Sequence, residues 1–423
     1  MSSAIIRTCT GLLVILSTLS YSSSSHSNRV GLVSQSNNAV ALKIYEALSR
    51  KNNKNILISP ISLNYALTAL SIGTEGQSYE ELTNALNTPK DSDKVKRAYK
   101  DFTRNLAHDR NLTIATKFFI DNGFQVKDSY RQDISRYFGS TIGKSDFKNN
   151  AEPSRLEINR WVEDNTNHRI KDMLPSGSVD SNTVAFIVNA VHFKSDWLYP
   201  FDKALTRSAP FHGLDKKIDT QMMSVTAHFD YKSDDSLGVD IVSLPYKGDY
   251  SMLLLVPREQ RGITDVEKRL VQLRANSNTS LIDMLMTGMY KREIELTMPK
   301  FTLEVRTDMK DVLKEIGVRS IFNQGGLTKI SDNPGLIVGD VIQKAYINVD
   351  ETSTEAAAAT EHFNVLSLYE EEYVFKVRAD HPFIFTINHL ESNCIFFEGR
   401  VLRPSDTRVH GNFHPASPPF YWY

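Results

Sequence analysis

Two short segments of the sequence are apolar at every position, and they constrain the fold more than any other feature. Residues 184–188 read Val-Ala-Phe-Ile-Val, and residues 252–256 read Met-Leu-Leu-Leu-Val. A strand that is apolar on both faces belongs in a sheet that is covered on both sides. Further strand-like runs at 338–349 and 383–387 lie far away along the chain. The pattern predicts one large domain in which distant segments share sheets.

Helical periodicity occurs between these strand-like runs. Apolar residues recur at i, i+3, i+4 and i+7 from Ala41, from Leu63 and again from Met309. Such a stripe is typical of an amphipathic helix that packs on a core. Helices and strands are mixed without strict alternation and without an internal repeat, which predicts the α+β class.

Composition and charge exclude several kinds of protein. The 423 residues are 41% hydrophobic and 23% charged, which is enough to bury a large core. Lys and Arg number 49 against 50 Asp and Glu, so no overall charge attracts the chain to nucleic acid or to an anionic membrane. Of the two cysteines, Cys9 precedes the folded region and Cys394 lies in an apolar run. We therefore expect no internal disulfide, and a buried, inert thiol at Cys394.

The N-terminus predicts secretion. Residues 1–25 resemble a secretory signal peptide, with Arg7 before an apolar segment at 11–16 that is too short to cross a bilayer. An uncleaved anchor is the alternative. Asn111 and Asn278 begin N-glycosylation sequons, which matter only in a secreted protein. We expect an extracellular glycoprotein that does not span a membrane.

No local signature of an enzyme is present. The sequence lacks G-x-S-x-G, H-E-x-x-H, C-x-x-C, a P-loop and G-x-G-x-x-G. His192 stands in a strand-like run and is interpreted as a core histidine rather than a general base or a ligand. We expect no enzymatic activity, no metal and no obligatory cofactor.

Several blocks of the sequence resemble, in order, those of the serpin family. They are Asn55–Ser62, Asn189–Lys194 followed by Trp197, Leu244–Tyr246, Pro299–Phe301 and Val377–Phe385. The resemblance extends over a domain at 30–404. It implies three β-sheets, eight or nine helices and an exposed reactive loop at 350–376. The Pro- and aromatic-rich tail at 405–423 has no assigned role.

The start of the reactive loop alternates in a way that suits a strand. Small, uncharged side chains occupy every second position from 354 to 360, with Glu or Ala between them. In a strand, one face of such a segment could enter a packed sheet while the other stays in water. Ala and Glu also favour helices, so composition alone leaves a surface helix or a linker open. The surrounding serpin-like blocks favour the insertable loop.

The resemblance implies a mechanism and a partner. A target serine protease cleaves the loop and forms an acyl-enzyme, and the freed segment inserts into the main sheet while the protease stays covalently attached. The chain is expected to act as a monomer. The hinge that inserts comprises Glu351, Ser353, Thr354, Glu355, Ala356, Ala357, Ala358, Ala359 and Thr360. The alternative is a non-inhibitory serpin that serves as a carrier, chaperone or storage protein.

Counting along the loop places the cleaved bond and restricts the target. The family spacing puts it between Ser367 and Leu368, and Leu366-Ser367 and Leu368-Tyr369 are alternatives. No Lys or Arg occurs between Glu351 and Phe375, so a trypsin-like specificity pocket has no cation to bind. A chymotrypsin-like or elastase-like target is expected.

Resemblance also identifies residues that control opening of the sheet. The predicted sheet-opening residues are Ser59, Ser62, Asn189, Trp197 and Gln343. Gln343 stands where the family usually has His, so it keeps a donor and an acceptor but loses the titratable group. Ser353 stands where the family usually has Gly, which restricts the backbone and could slow insertion.

A possible glycosaminoglycan site lies on a predicted helix. Lys96, Lys100 and Arg104 are spaced at i, i+4 and i+8, so they share one helix face. The equivalent helix of some serpins carries heparin sites. Interleaved acidic residues make a solvated charged face the alternative.

Overall fold

The computed structural model describes residues 31–106, 109–275, 280–323, 326–352, 374–405 and 408–410. Several predicted features lie outside these residues. They are the signal peptide at 1–25, Asn278, the hinge from Ser353 to Thr360, the reactive bond at 366–369, and the tail at 406–407 and from 411 onwards.

The described chain contains nine α-helices, within the predicted range of eight or nine. The first, α1, includes residues 31–51. The others are α2 Pro60–Ser71, α3 Gly76–Ala85, α4 Ser92–Leu106, α5 Asp128–Phe138, α6 Phe147–Asp164, α7 Ile263–Ala275, α8 Leu281–Met286 and α9 Lys310–Glu315. The stripes that begin at Ala41, Leu63 and Met309 fall on α1, α2 and α9. Pro60 begins α2, where its fixed φ and missing N–H suit the first turn.

Fifteen strands occur in the same part of the chain. They are β1 Ile56–Ile58, β2 Leu112–Asp121, β3 Ile142–Ser145, β4 Ala185–Phe193, β5 Arg207–His212, β6 Lys217–Asp234, β7 Val239–Pro245, β8 Tyr250–Pro257, β9 Tyr290–Pro299, β10 Phe301–Asp308, β11 Asp340–Val349, β12 Phe375–Arg378, β13 Phe383–His389, β14 Cys394–Val401 and β15 Arg408–His410.

These strands form two hydrogen-bonded sheets. The six-stranded sheet has the order β15, β10, β11, β4, β2, β3. The nine-stranded sheet has the order β1, β14, β13, β8, β7, β6, β9, β12, and β5 also pairs with β6. Strand β6 pairs with β5 at 217–222, with β9 at 222–231 and with β7 at 230–234. It thereby joins two of the three implied sheets into one network.

The six-stranded sheet is covered on both sides, as the apolar runs predict. On one face of β4, Ile187 and Val191 belong to the main core, which also contains apolar residues of α2. On the other face, Phe186 and Val188 pack under α6 in a second core. Every residue of β4 and of β8 is buried. The two segments interpreted as central strands are therefore confirmed.

Two further predictions concern single features. Cys394 is buried, and the amide of Asn37 donates to its Sγ at 3.2 Å. Burial raises the pKa of this thiol, which agrees with an inert cysteine. Within the described ranges, no helix combines the length and apolar character that a membrane crossing requires.

Candidate functional site

The boundary between β4 and β11, called the seam below, lies near the middle of the six-stranded sheet. The two strands run parallel, and their register extends from Asp340 opposite Phe186 to Ile347 opposite Phe193. Within it, Asn189 of β4 and Gln343 of β11 are direct partners. Both side chains are buried, with exposed fractions of 0% and 1%. Two fully buried amides must find hydrogen bonds inside the protein.

Gln343 supplies most of these bonds. Its Nε2 donates to Asn189 Oδ1 at 2.8 Å and to the carbonyl oxygen of Ser59 at 2.9 Å, and it lies 3.2 Å from Ser62 Oγ. Its Oε1 accepts from the backbone N–H of Ser59 at 2.9 Å. The amide therefore joins β11 to β4 and to the N-terminus of α2. The structure brings together all four predicted polar residues of the sheet-opening group.

Ser59 takes part through its backbone and not through its hydroxyl. Its Oγ is buried and makes no hydrogen bond within the described part of the chain. Ser62, in contrast, uses its hydroxyl, which donates to Asn189 Oδ1 at 2.7 Å. The two serines look equivalent in the sequence, but only the second contributes a side-chain bond.

Sequence reasoning missed one member of this network. Asn189 Nδ2 donates to Thr116 Oγ1 at 2.5 Å, and Thr116 is the register partner of Asn189 on β2. The network thus includes a third strand. Thr116 had no signal in the sequence, because a threonine in a strand is common and only the register places it beside Asn189.

Trp197 lies near the C-terminal ends of β4 and β11, just before the segment that the sequence predicts to be the reactive loop. Its ring stacks on Tyr246, with centroids 4.1 Å apart and planes inclined by 13°. Its Nε1 donates to the carbonyl oxygen of Asp350 at 2.9 Å. The backbone N–H of Phe201 donates to the carbonyl oxygen of Glu351 at 3.0 Å. Trp197 therefore contacts the chain at the start of the predicted reactive loop, and its role in sheet opening stays a prediction.

Glu351 is the first predicted hinge residue and the one that the structure describes. Thr206 Oγ1 donates to its Oε1 at 2.7 Å, and Lys300 Nζ lies 2.7 Å from its Oε2. Burial alone would raise the pKa of Glu351, but the hydrogen bonds from Lys300 and Thr206 lower it below its usual value. The carboxylate is therefore charged at neutral pH and fixes the chain where the loop begins.

The three cations of the possible glycosaminoglycan site lie on α4 but differ in availability. Lys96 Nζ donates to Asp133 Oδ2 at 2.6 Å, and its side chain is only 17% exposed. Lys100 Nζ lies 5.9 Å from the ring centroid of Tyr137, and Arg104 is exposed in the last turn. Lys96 is thus already paired within the protein, and Lys100 and Arg104 are better placed for an external anion.

The remaining predicted residues lie apart from the seam network. Asn111 is half-buried just before β2, where its carbonyl oxygen accepts from the backbone N–H of Lys194 at 2.8 Å. Its glycosylation stays a prediction. His192 is buried on β4, in agreement with a core histidine. No group of three or more His, Cys, Asp or Glu within the described ranges could hold a metal ion.

Comparison with known proteins agrees with this arrangement. Residues 35–404 match the family model described as serpin (serine protease inhibitor). A serine protease inhibitor of Cyanea capillata is 33% identical over 83% of this chain and 93% of its own length. Antichymotrypsin-2 of Bombyx mori is 32% identical over 89% and 96%, respectively. The crystal structure of mouse protein-Z dependent protease inhibitor superposes with a TM-score of 0.79 at 24% identity, covering 90% of this chain and all of that one. The chain belongs to the serpin family.

Proposed function

We propose that this protein inhibits a serine protease by inserting its cleaved loop between β4 and β11. The observation that carries the proposal is the seam itself. One buried amide network joins the two paired strands, and the predicted loop begins beside the end of the seam at Trp197 and Glu351. Relatives that carry the names of protease inhibitors support the same general activity.

The direction of the strands suits insertion. Strands β4 and β11 are parallel, so a segment that follows β11 and reverses direction would run antiparallel to both. The single pairing of β4 with β11 would be replaced by two antiparallel pairings, one on each side of the inserted strand. Each pairing would have its own ladder of backbone hydrogen bonds. The side chains at 354, 356, 358 and 360 are Thr, Ala, Ala and Thr, which are small enough to enter a packed sheet.

The chemistry belongs to the protease. Its serine Oγ attacks the carbonyl carbon of the reactive bond, the C–N bond breaks, and the protease's histidine transfers the proton to the new amine. Ser367 would then be esterified to the protease, and Leu368 would begin the released fragment. Insertion moves the acyl-enzyme away before water hydrolyses the ester, so this chain supplies the substrate bond and the free energy of a new strand.

The loop sequence favours a target with an apolar specificity pocket. The interval from Glu351 to Phe375 contains Leu366, Leu368 and Tyr369 but neither Lys nor Arg. We therefore propose a chymotrypsin-like or elastase-like target. The acidic run at 370–372 adjoins the proposed bond and would attract a protease with a basic surface.

We propose that the protein acts outside the cell. The signal-like sequence at 1–25 and the sequons at Asn111 and Asn278 support a secreted, glycosylated monomer. The mass of the intact mature protein, measured before and after enzymatic deglycosylation, shows whether the leader has been removed and whether glycans are attached.

Incubation of the protein with chymotrypsin, elastase and trypsin tests the proposed function. We expect complexes with chymotrypsin or elastase that survive SDS, together with a released C-terminal fragment. Complexes with trypsin alone would overturn the target class. Cleavage without complexes, and without a rise in melting temperature after cleavage, would favour the non-inhibitory alternative.

A further inference from the structure

His192 and Tyr346 face each other across the seam, three residues beyond the pair of Asn189 and Gln343. They are register partners, and their ring centroids are 5.3 Å apart. Because side chains alternate along a strand, His192 points to the face opposite that of Asn189. On that face Tyr346 packs against the core under α6. Opening the seam therefore separates these two rings.

Positive charges surround His192, and its side chain is almost buried. Its exposed fraction is 7%. Two positive charges disfavour its protonated form. They belong to Arg169, in the segment after α6, and to Lys194, just beyond the end of β4. On β2 its register partner is the uncharged Thr113. Burial first, and then Arg169 and Lys194, lower the pKa of His192 from 6.5 to about 4.

The surroundings of Tyr346 complete the charge environment. The charge of Arg169 lowers the pKa of Tyr346, whereas the charges of Glu304 on β10 and Asp350 beyond the end of β11 raise it. Neither carboxylate is among the charged groups that act on His192. A proton on the imidazole would therefore be buried beside two cations, without an acidic partner among the residues that the structure describes.

We propose that His192 makes the opening of the seam pH-dependent, so that acid favours separation of β4 from β11. The consequence for inhibition rests on the proposed function, whereas the opening itself does not. Gln343 does not titrate, and the amide network therefore stays the same through this pH range. The pH dependence comes instead from the pair of His192 and Tyr346 on the opposite face of the sheet.

The sign and size of the effect follow from proton linkage. The pKa of His192 is lowered in the closed sheet, so its contribution to the closed state is fully present above the ordinary value of 6.5 and is lost as the pH falls towards 4. If opening restores the ordinary pKa, the opening constant at pH 5.0 is about 30-fold larger than at pH 7.5. A faster or spontaneous loop insertion in acid would result.

Hydrogen–deuterium exchange of the β4 and β11 amides at pH 7.5 and 5.0 tests this inference, with rates corrected for the intrinsic pH dependence of exchange. The variants are His192→Phe, which keeps a ring of similar size, and His192→Gln in case the first folds poorly. His389→Gln is the matched control, because His389 is a partly buried histidine with a lowered pKa on β13, outside the six-stranded sheet.

We expect the opening constant of the seam at pH 5.0, relative to that at pH 7.5, to be about 30-fold larger in the wild type and in His389→Gln than in either His192 variant. This comparison cancels the titration of Asp340 at the start of β11, which all of these proteins share. Equal pH dependence in the wild type and the His192 variants would overturn the inference. Assays of SDS-stable complexes in parallel keep the two proposals apart. Acid opening without complexes at either pH would contradict only the proposed function.

Discussion

Lys300 and Glu351 form an ion pair just beyond the end of β11, where the predicted reactive loop begins. The two charged atoms are 2.7 Å apart, and the Glu351 side chain is only 6% exposed. Because a carboxylate in such a position depends on its partners for solvation, the pair fixes the beginning of the loop.

Replacing Lys300 by Met should therefore destabilise the protein. Among the described residues, the variant leaves the Glu351 carboxylate with Thr206 as its remaining side-chain donor. We expect the free energy of unfolding to fall by about 1–3 kcal/mol. Lys376→Met is the control, because it removes a pair with Glu295 in which both side chains are largely exposed. That change should cost less than about 1 kcal/mol in urea unfolding. Equal losses in the two variants would show that Glu351 is effectively solvated.

The two serines of the seam network should respond differently to substitution. Ser62→Ala removes the hydroxyl that donates to Asn189, and we expect a loss of about 1–2 kcal/mol in the free energy of unfolding. Ser59→Ala removes a hydroxyl that makes no hydrogen bond within the described chain, so its effect should stay within about 0.5 kcal/mol. The reverse order in denaturant titrations would contradict the hydrogen-bond assignment.

Thr354→Arg should convert the inhibitor into a substrate. Thr354 is the first hinge residue predicted to face into the sheet, where an unpaired guanidinium would cost several kcal/mol on burial. Cleavage by the target protease should continue while SDS-stable complexes disappear. Glu355→Arg changes the neighbouring residue, whose side chain should stay in water, and should keep most of the complex. Wild-type amounts of complex from Thr354→Arg would show that the hinge is placed wrongly.

Mass spectrometry of the released fragment should locate the reactive bond. We expect the fragment to begin at Leu368, with Ser367 and Tyr369 as the alternative first residues. A fragment that begins after Lys376 would contradict both the bond and the apolar target class.

Asp340 at the start of β11 should destabilise the folded protein at neutral pH. Burial, followed by the charge of Asp308, raises the pKa of Asp340 from 3.8 to about 6. The folded state binds this proton more tightly than the unfolded state does. The protonated carboxyl therefore stabilises the folded protein below pH 3.8, and this stabilisation is lost as the pH rises through 6. Asp340→Asn should raise the free energy of unfolding at pH 7.5 by about 1 kcal/mol and flatten its pH dependence between 4 and 6. An unchanged profile in thermal unfolding would contradict this assignment.

The sequence by itself determined the α+β class, the two central strands and the buried state of Cys394. Each follows from a local pattern: an apolar run on both faces, a helical stripe, or a thiol among apolar neighbours. The sequence blocks also singled out Ser59, Ser62, Asn189 and Gln343, which the structure brings together, and their role in sheet opening stays a prediction. These features need no knowledge of which segments meet.

Only the tertiary structure decided how those residues work. It showed that Ser59 acts through its backbone, that Thr116 joins the network, and that Lys300 neutralises Glu351. It also joined two of the implied sheets through β6. Gln343 and Ser59 are 284 positions apart along the chain, yet they are hydrogen-bonded. Such contacts depend on strand order and register, which are fixed by the packing of the whole domain and not by any local pattern.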